Sequence, residues 1–184
     1  MGQIRAQALE QSGRANILTV YEENILPDGL VYTISKNADE IINNPEIDAV
    51  CICTPNYLNK PLTIQALNAG KHVFCEKPPA FNSKEVKEII GAERESGKKL
   101  MYGFNHRHHG SIQHIKKLIE SKEYGKVIWM RGRYGKSVDK SFFDTWRAKK
   151  ELAGGGILID QGIHMLDLFI MLGGGFDSVQ ADVS

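Results

Sequence analysis

Two short apolar runs, each cut off by proline, constrain what this chain can fold into more than anything else in it. Residues 47–54 (Ile-Asp-Ala-Val-Cys-Ile-Cys-Thr) are almost continuously apolar and stop at Pro55-Asn56. Val73-Phe74-Cys75 stops at Glu76-Lys77-Pro78-Pro79. Proline lacks the N–H that a sheet ladder needs and holds the preceding residue in extended backbone. Short runs that are apolar on both faces read as strands buried on both sides, the mark of a parallel sheet covered by helices. Between them, residues 62–69 have helical periodicity and end at Gly70, a residue type that commonly closes helices. Strand, helix and strand in this order form a parallel crossover unit.

The alternation continues on both sides. Residues 3–12 are helical in composition and stop at Gly13, and residues 17–21 (Ile-Leu-Thr-Val-Tyr) read as a strand. Residues 24–35 are irregular, with Pro27-Asp28-Gly29 as a turn and a short strand at 31–34. A short helix is expected over 37–43, a longer one from Ser83 to about Gly97, a strand over 99–104 and a helix over 111–119. Residues 1–121 therefore predict a parallel sheet with helices on both faces. After Gly125 the texture changes. Residues 127–134 alternate in part and read as a longer strand, 157–172 as a strong helix after Gly154-Gly155-Gly156, and 179–183 as the start of another strand. The domain boundary is expected near 121–126, dividing 1–123 from 124–184.

Composition narrows the function classes. A net charge of +1 gives no basic surface for nucleic acid. No apolar run approaches the ~20 residues of a membrane span, and the N-terminus has no signal-peptide core. Cys51, Cys53 and Cys75 all sit in apolar runs and read as small buried residues in a reducing compartment. The expectation is a cytoplasmic protein with no nucleic-acid, membrane or metal partner.

Glu22, Thr54-Pro55-Asn56, Glu76-Lys77 and Asn105 all follow expected strands, so they share the sheet edge where ligands bind in open α/β folds. A solvated turn explains any one of them equally well. Dinucleotide folds carry an acid ~20 residues after a glycine loop, and Gly2 to Glu22 spans 20 residues. Gly2 thus reads as the last glycine of such a loop. On the second expected domain's helix, Asp160, His164 and Asp167 share one face, opposite Leu158, Met165, Leu168, Phe169 and Leu172. An Asp–His pair is either a general acid/base unit or a local pair at a helix start. His106-Arg107-His108-His109 reads as a solvated or phosphate-facing loop, because no cysteine or carboxylate lies at metal-ligand spacing. Trp146-Arg147 lines a pocket or anchors a loop.

Together, Cys53-Thr54-Pro55-Asn56, the decapeptide from Ala69 to Pro78, Gly103-Phe104-Asn105 and residues 154–167 resemble the Gfo/Idh/MocA oxidoreductases in order and spacing. The resemblance implies a Rossmann-type parallel sheet lacking its first strand, then the start of an α+β domain with an open, mainly antiparallel sheet. It implies catalytic positions at Lys77, Asp160 and His164. A hydride passes between a nicotinamide and a CH–OH group of a sugar, polyol or sugar derivative, with Lys77 or His164 handling the hydroxyl proton. Residues implied to line the cofactor are Gly2, Gln3, Ile4, Glu22, Cys53, Thr54, Pro55, Asn56, Leu58, Glu76, Lys77, Pro78, Asn105, Trp146 and Arg147. Glu22 favours NAD, since its charge opposes a 2′-phosphate; NADP stays open. A homo-oligomer is implied for the full-length form. Asn59 stands where many members have histidine, which puts a cofactor-side contact in doubt. Members are much longer, so the resemblance implies a fragment that binds NAD poorly and turns over slowly. Two other readings stay open: a non-catalytic NAD(P)-sensing regulator, and a reductase of an imine, enone or tetrapyrrole.

Overall fold

The computed structural model describes residues 1–23, 32–135 and 137–182. The chain forms two compact units, Met1–Gly103 and Phe104–Ser184. The division falls a helix earlier than the boundary read from the sequence.

The first unit alternates as expected. In order it holds α1 (Gly2–Ser12), β1 (Thr19–Val20), β2 (Thr33–Ile34), α2 (Ala38–Ile42), β3 (Ala49–Ile52), α3 (Asn56–Asn68), β4 (His72–Cys75), α4 (Ser83–Ser96) and β5 (Leu100–Tyr102). Every strand pair is parallel. β4 lies between β3 and β5, and Ile52, Cys75 and Tyr102 align across the three strands. β1 and β2 form a separate two-stranded sheet. The Pro27–Gly29 turn lies outside the described residues, as does the first position of the strand expected at 31–34.

Local chemistry sets the ends of these elements. The side chains of Asn37 and Asn82 accept from the N–H of Glu40 and Glu85 and cap α2 and α4. Gly97, in left-handed backbone at φ 64°, stops α4. Ile42, Ile52, Ala66, Leu67, Val73 and Cys75 form the core. Lys71 is buried, and its Nζ donates to the carbonyls of Asn44 (2.6 Å) and Ile47 (2.8 Å). Those bonds offset the cost of burying an ammonium and tie the α2–β3 loop to β4.

Two expectations for this unit need correction. α3 begins at Asn56 rather than residue 62, with Pro61 inside it. At the sixth helical position the proline removes one backbone hydrogen bond and crowds the carbonyl four residues back, and burial of Asn59, Thr63, Ala66 and Leu67 holds the helix. β3 is not buried on both faces. It is an edge strand among the described residues, so Ala49 and Cys51 are exposed. Cys75 is buried as expected, and burial pushes its thiol up to about 12. Cys51 and Cys53 do share a face, with sulfurs 3.8 Å apart.

The second unit opens with a 3-10 turn, Asn105–His108, followed by α5 (Gly110–Ser121). Two 3-10 turns, Lys140–Asp144 and Trp146–Ala148, lead to α6 (Lys150–Ala153). A π turn, Leu158–Gly162, runs directly into α7 (Ile163–Gly173). No strand occurs among the described residues of this unit, so the antiparallel sheet is not formed by them. A strand exists through pairing of its N–H and C=O groups, and no described segment pairs with residues 127–134. Ile128 and Trp129 there are 98% and 74% exposed. Residues 179–182 are likewise unpaired. The helical stretch Lys150–Gly173 contains an 18-residue window of mean hydropathy 1.4, long and apolar enough by composition to cross a membrane, and a core helix of a water-soluble protein meets the same test.

Candidate functional site

In the first unit the parallel strands bring three segments to one edge. Because Ile52 and Cys75 are aligned neighbours, the residues that follow them, Cys53–Asn56 and Glu76–Pro78, leave the sheet side by side. α1 adds its N-terminus there: a Cβ on Gly2 would lie 3.9 Å from the Cβ of Cys53. Gly2, Gln3 and Ile4 thus place free helical N–H groups and the positive end of a helix dipole beside Cys53, a setting that favours anionic groups. Asn56 is buried at the start of α3, and Leu58 is half-buried two residues on. Glu22 follows β1, two residues after Val20.

The Glu76-Lys77-Pro78 segment is held from three sides. Asn59 is fully buried, and its Nδ2 donates to the carbonyls of Glu76 (3.1 Å) and Pro78 (2.8 Å). The Thr54 hydroxyl donates to Asn59 Oδ1 at 3.3 Å. Asn59 therefore clamps the main chain on both sides of Lys77, and its side chain is spent on that task rather than on a cofactor. Arg5 reaches from α1 and donates through Nε (2.8 Å) and Nη2 (2.5 Å) to Glu76 Oε1. Its guanidinium also lies over the Phe74 ring, 5.1 Å from the centroid. The 8%-exposed Glu76 carboxylate is thereby paired, which spares the chain an uncompensated buried charge. Lys77 is half-buried and joins Pro78 through a cis peptide.

Gly103, directly after β5, completes this packing. Its N–H donates to the Cys75 carbonyl at 2.8 Å. A Cβ added there would lie 2.8 Å from Glu76 Oε2 and 3.0 Å from Oε1. Gly103→Ala is expected to push Glu76 off Arg5 and to cost about 1–3 kcal/mol, the usual range for overpacking. Urea unfolding measures this, and an unmoved midpoint would count against the packing described.

In the second unit the chemistry gathers around the π turn and α7. His164 is 5% exposed. Its ring stacks on that of His106, with centroids 4.1 Å apart and planes 25° from parallel, and Phe104 meets it edge-on. Tyr134 stacks on His106 at 5.7 Å. Asp160 lies in the π turn, and its Oδ2 accepts from Gln161 Nε2 at 2.9 Å. Gln161 also lines a cavity of about 280 Å³ with Arg133, Tyr134 and Gly135. Asp167 is engaged elsewhere: Arg107 donates to both of its oxygens, at 2.7 and 2.5 Å. This bidentate pair holds the Arg107 guanidinium above its usual pKa.

Of the helix face expected to be core, Leu168 is buried, Met165, Phe169 and Leu172 are half-buried and Leu158 is 58% exposed. His164, on the opposite face, is buried as well, beneath Phe104 and His106. Asn105 opens the 3-10 turn after β5. Trp146 and Arg147 form the expected aromatic–cation pair, with the guanidinium 4.4 Å from the ring centroid, on a 3-10 turn of the second unit.

Residues 3–104 match the model of an oxidoreductase family with an NAD-binding Rossmann fold, and residues 112–184 match that of the GFO/IDH/MocA C-terminal domain. The chain belongs to the GFO/IDH/MocA oxidoreductase family. Levoglucosan dehydrogenase of Pseudarthrobacter phenanthrenivorans is 37% identical over 146 residues, covering 78% of this chain and 37% of the relative. The 2,7-anhydro-N-acetylneuraminate hydratase of Escherichia coli is 30% identical over 166 residues, covering 88% of this chain and 44% of the relative. Among solved structures, myo-inositol 2-dehydrogenase from Lactobacillus plantarum superposes with a TM-score of 0.82 at 29% identity, covering 94% of this chain and 53% of that one. Levoglucosan dehydrogenase in complex with NADH and levoglucosan gives 0.75 at 30% identity, covering 87% and 45%. The chain therefore spans roughly a third to a half of the length of these relatives.

Family membership leaves the division of labour among residues to the geometry. Sequence reading found the strand-end segments and the Asp160–His164 helix, whose signals are local. It missed Arg5 and Tyr134, gave Gly103 only as part of a family motif and His106 only as part of a solvated or phosphate-facing loop, and noted Asn59 only as a departure from the family's usual histidine that put a cofactor-side contact in doubt.

Proposed function

We propose that this chain carries cofactor-side and proton-handling groups of an NAD-dependent dehydrogenase acting on a CH–OH group of a sugar, polyol or sugar derivative. One observation carries the reading: the N-terminus of α1, residues 53–56 and residues 76–78 converge at the C-terminal edge of parallel strands. Dinucleotides bind at such an edge. The relative solved with NADH and levoglucosan supports both the cofactor and the sugar class.

Oxidising an alcohol removes a hydride and a proton. NAD, when bound, accepts the hydride. The chain's own groups do the rest. A base at the hydroxyl takes the proton, and Lys77 and His164 are the candidates. Asp160, anchored by Gln161, orients the substrate or relays that proton. The first turn of α1 neutralises phosphate charge, and Glu22 accepts from the ribose hydroxyls, which favours NAD over NADP. The thiols of Cys51, Cys53 and Cys75 are all free, in keeping with a reducing, cytoplasmic setting.

A second reading rests on the relative named as a hydratase: addition of water to a sugar derivative without net change in the nicotinamide. Amide NMR of the chain at millimolar NADH tests the cofactor site. The expected result is shifts confined to residues 2–4, 53–56 and 76–78 and to the neighbourhood of Glu22. Shifts that map elsewhere, or none, would overturn it. Net formation of NADH from a polyol, followed by absorbance, separates dehydrogenase from hydratase.

A further inference from the structure

The His106-Arg107-His108-His109 motif has no part in the reaction as described so far, yet one of its rings lies against His164. Tyr134, His106 and His164 form a three-ring stack with His106 in the middle, at 5.7 Å from Tyr134 and 4.1 Å from His164. Phe104 closes the edge of His164. Phe104 and His164 lie 60 positions apart, so this contact is tertiary, not an accident of helix spacing.

We propose that His106 is a positioning residue for His164: it fixes the plane of the buried ring by stacking and, through like-charge repulsion, limits the pair to one proton. The inference rests on the reading that His164 accepts the substrate's proton, because a base must be neutral before it can do so. Two imidazolium rings 4.1 Å apart repel strongly where water is excluded. Desolvation disfavours charge most on the 5%-exposed His164, so the first proton resides on the half-exposed His106. The surrounding charges fit this division. Asp167 is neutralised by the Arg107 fork and adds little pull. Asp160, on the π turn leading into α7, has one oxygen shared with Gln161. Arg133, beside Tyr134 around the shared cavity, is cationic and opposes a second proton.

The test is an NMR pH titration of the imidazole C2 protons in the 184-residue chain. His106 and His164 are expected to titrate in two macroscopic steps at least about one pH unit apart, as coupled sites do. In His106→Phe, which keeps a flat ring but no charge, His164 is expected to titrate in one step at higher pH. A single unperturbed step for His164 in the wild type, or an identical His164 curve in His106→Phe, would overturn the proposal. If that variant fails to fold, the wild-type curve and a His106→Gln variant decide. Neither readout depends on turnover. Unchanged turnover in His164→Ala would remove the catalytic reading and leave the coupling standing.

Discussion

Asn59→Leu is expected to lower the unfolding free energy by about 2–6 kcal/mol, since two buried carbonyls lose their donor at about 1–3 kcal/mol each. Leucine matches asparagine in size, so little of the effect comes from a cavity. The carbonyls of Glu76 and Pro78 accept from Asn59 Nδ2 in a spot with no access to water. The Thr54 hydroxyl loses its acceptor as well. Asn59→Asp sharpens the point: it keeps the shape but faces two carbonyls with an acceptor, and the same order of loss is expected. Urea denaturation followed by circular dichroism gives the midpoint. A midpoint that stays put in both variants would mean that the segment around Lys77 is held by something else.

Lys77→Ala is expected to lower turnover of a polyol by about 10²–10⁴-fold, the usual contribution of a positioned proton-transfer group. Binding of NADH should hardly change, because the segments at the sheet edge other than Lys77 remain in place. Lys77→Arg should fail to rescue turnover, since a guanidinium does not release its proton near neutral pH. Initial rates at saturating NAD and polyol, measured in the polypeptide that carries wild-type activity, are the readout. Turnover within tenfold of wild type would shift the base to His164 or support the hydratase reading. The two predictions are linked through geometry. Asn59 acts on the peptide groups flanking Lys77, so a variant that folds despite losing Asn59 should lose kcat more than it loses cofactor affinity.

Much of the first unit was legible because its signals are local. An apolar run that ends in proline reads as a strand, and β3 and β4 lie where those runs predict, although one face of β3 is exposed. The helical readings over 37–43 and from Ser83 to Gly97 match α2 and α4 to within a residue or two. Pro61 misled in the opposite direction, since propensity alone starts α3 after it, while the packing of Asn59, Thr63 and Leu67 starts the helix six residues earlier. The strand expected over 127–134 failed for a different reason. Alternation marks a segment fit for a sheet, but the sheet also requires a neighbour, and none is present among the described residues.

By itself, the sequence determined the parallel βαβ texture, the strand ends that carry Cys53–Asn56 and Glu76–Pro78, and a helix bearing Asp160 and His164. These follow from hydrophobic period and from proline and glycine, which act over a few residues. Only the tertiary structure decided that Arg5 pairs with Glu76 across 71 positions, that Asn59 serves the main chain, that Asp167 belongs to Arg107, and that His164 is buried against the His106 ring. Those facts depend on which side chains meet after the strands have paired and the helices have packed. Hydrogen-bond partners and burial belong to pairs of distant residues, and no one-dimensional pattern encodes them.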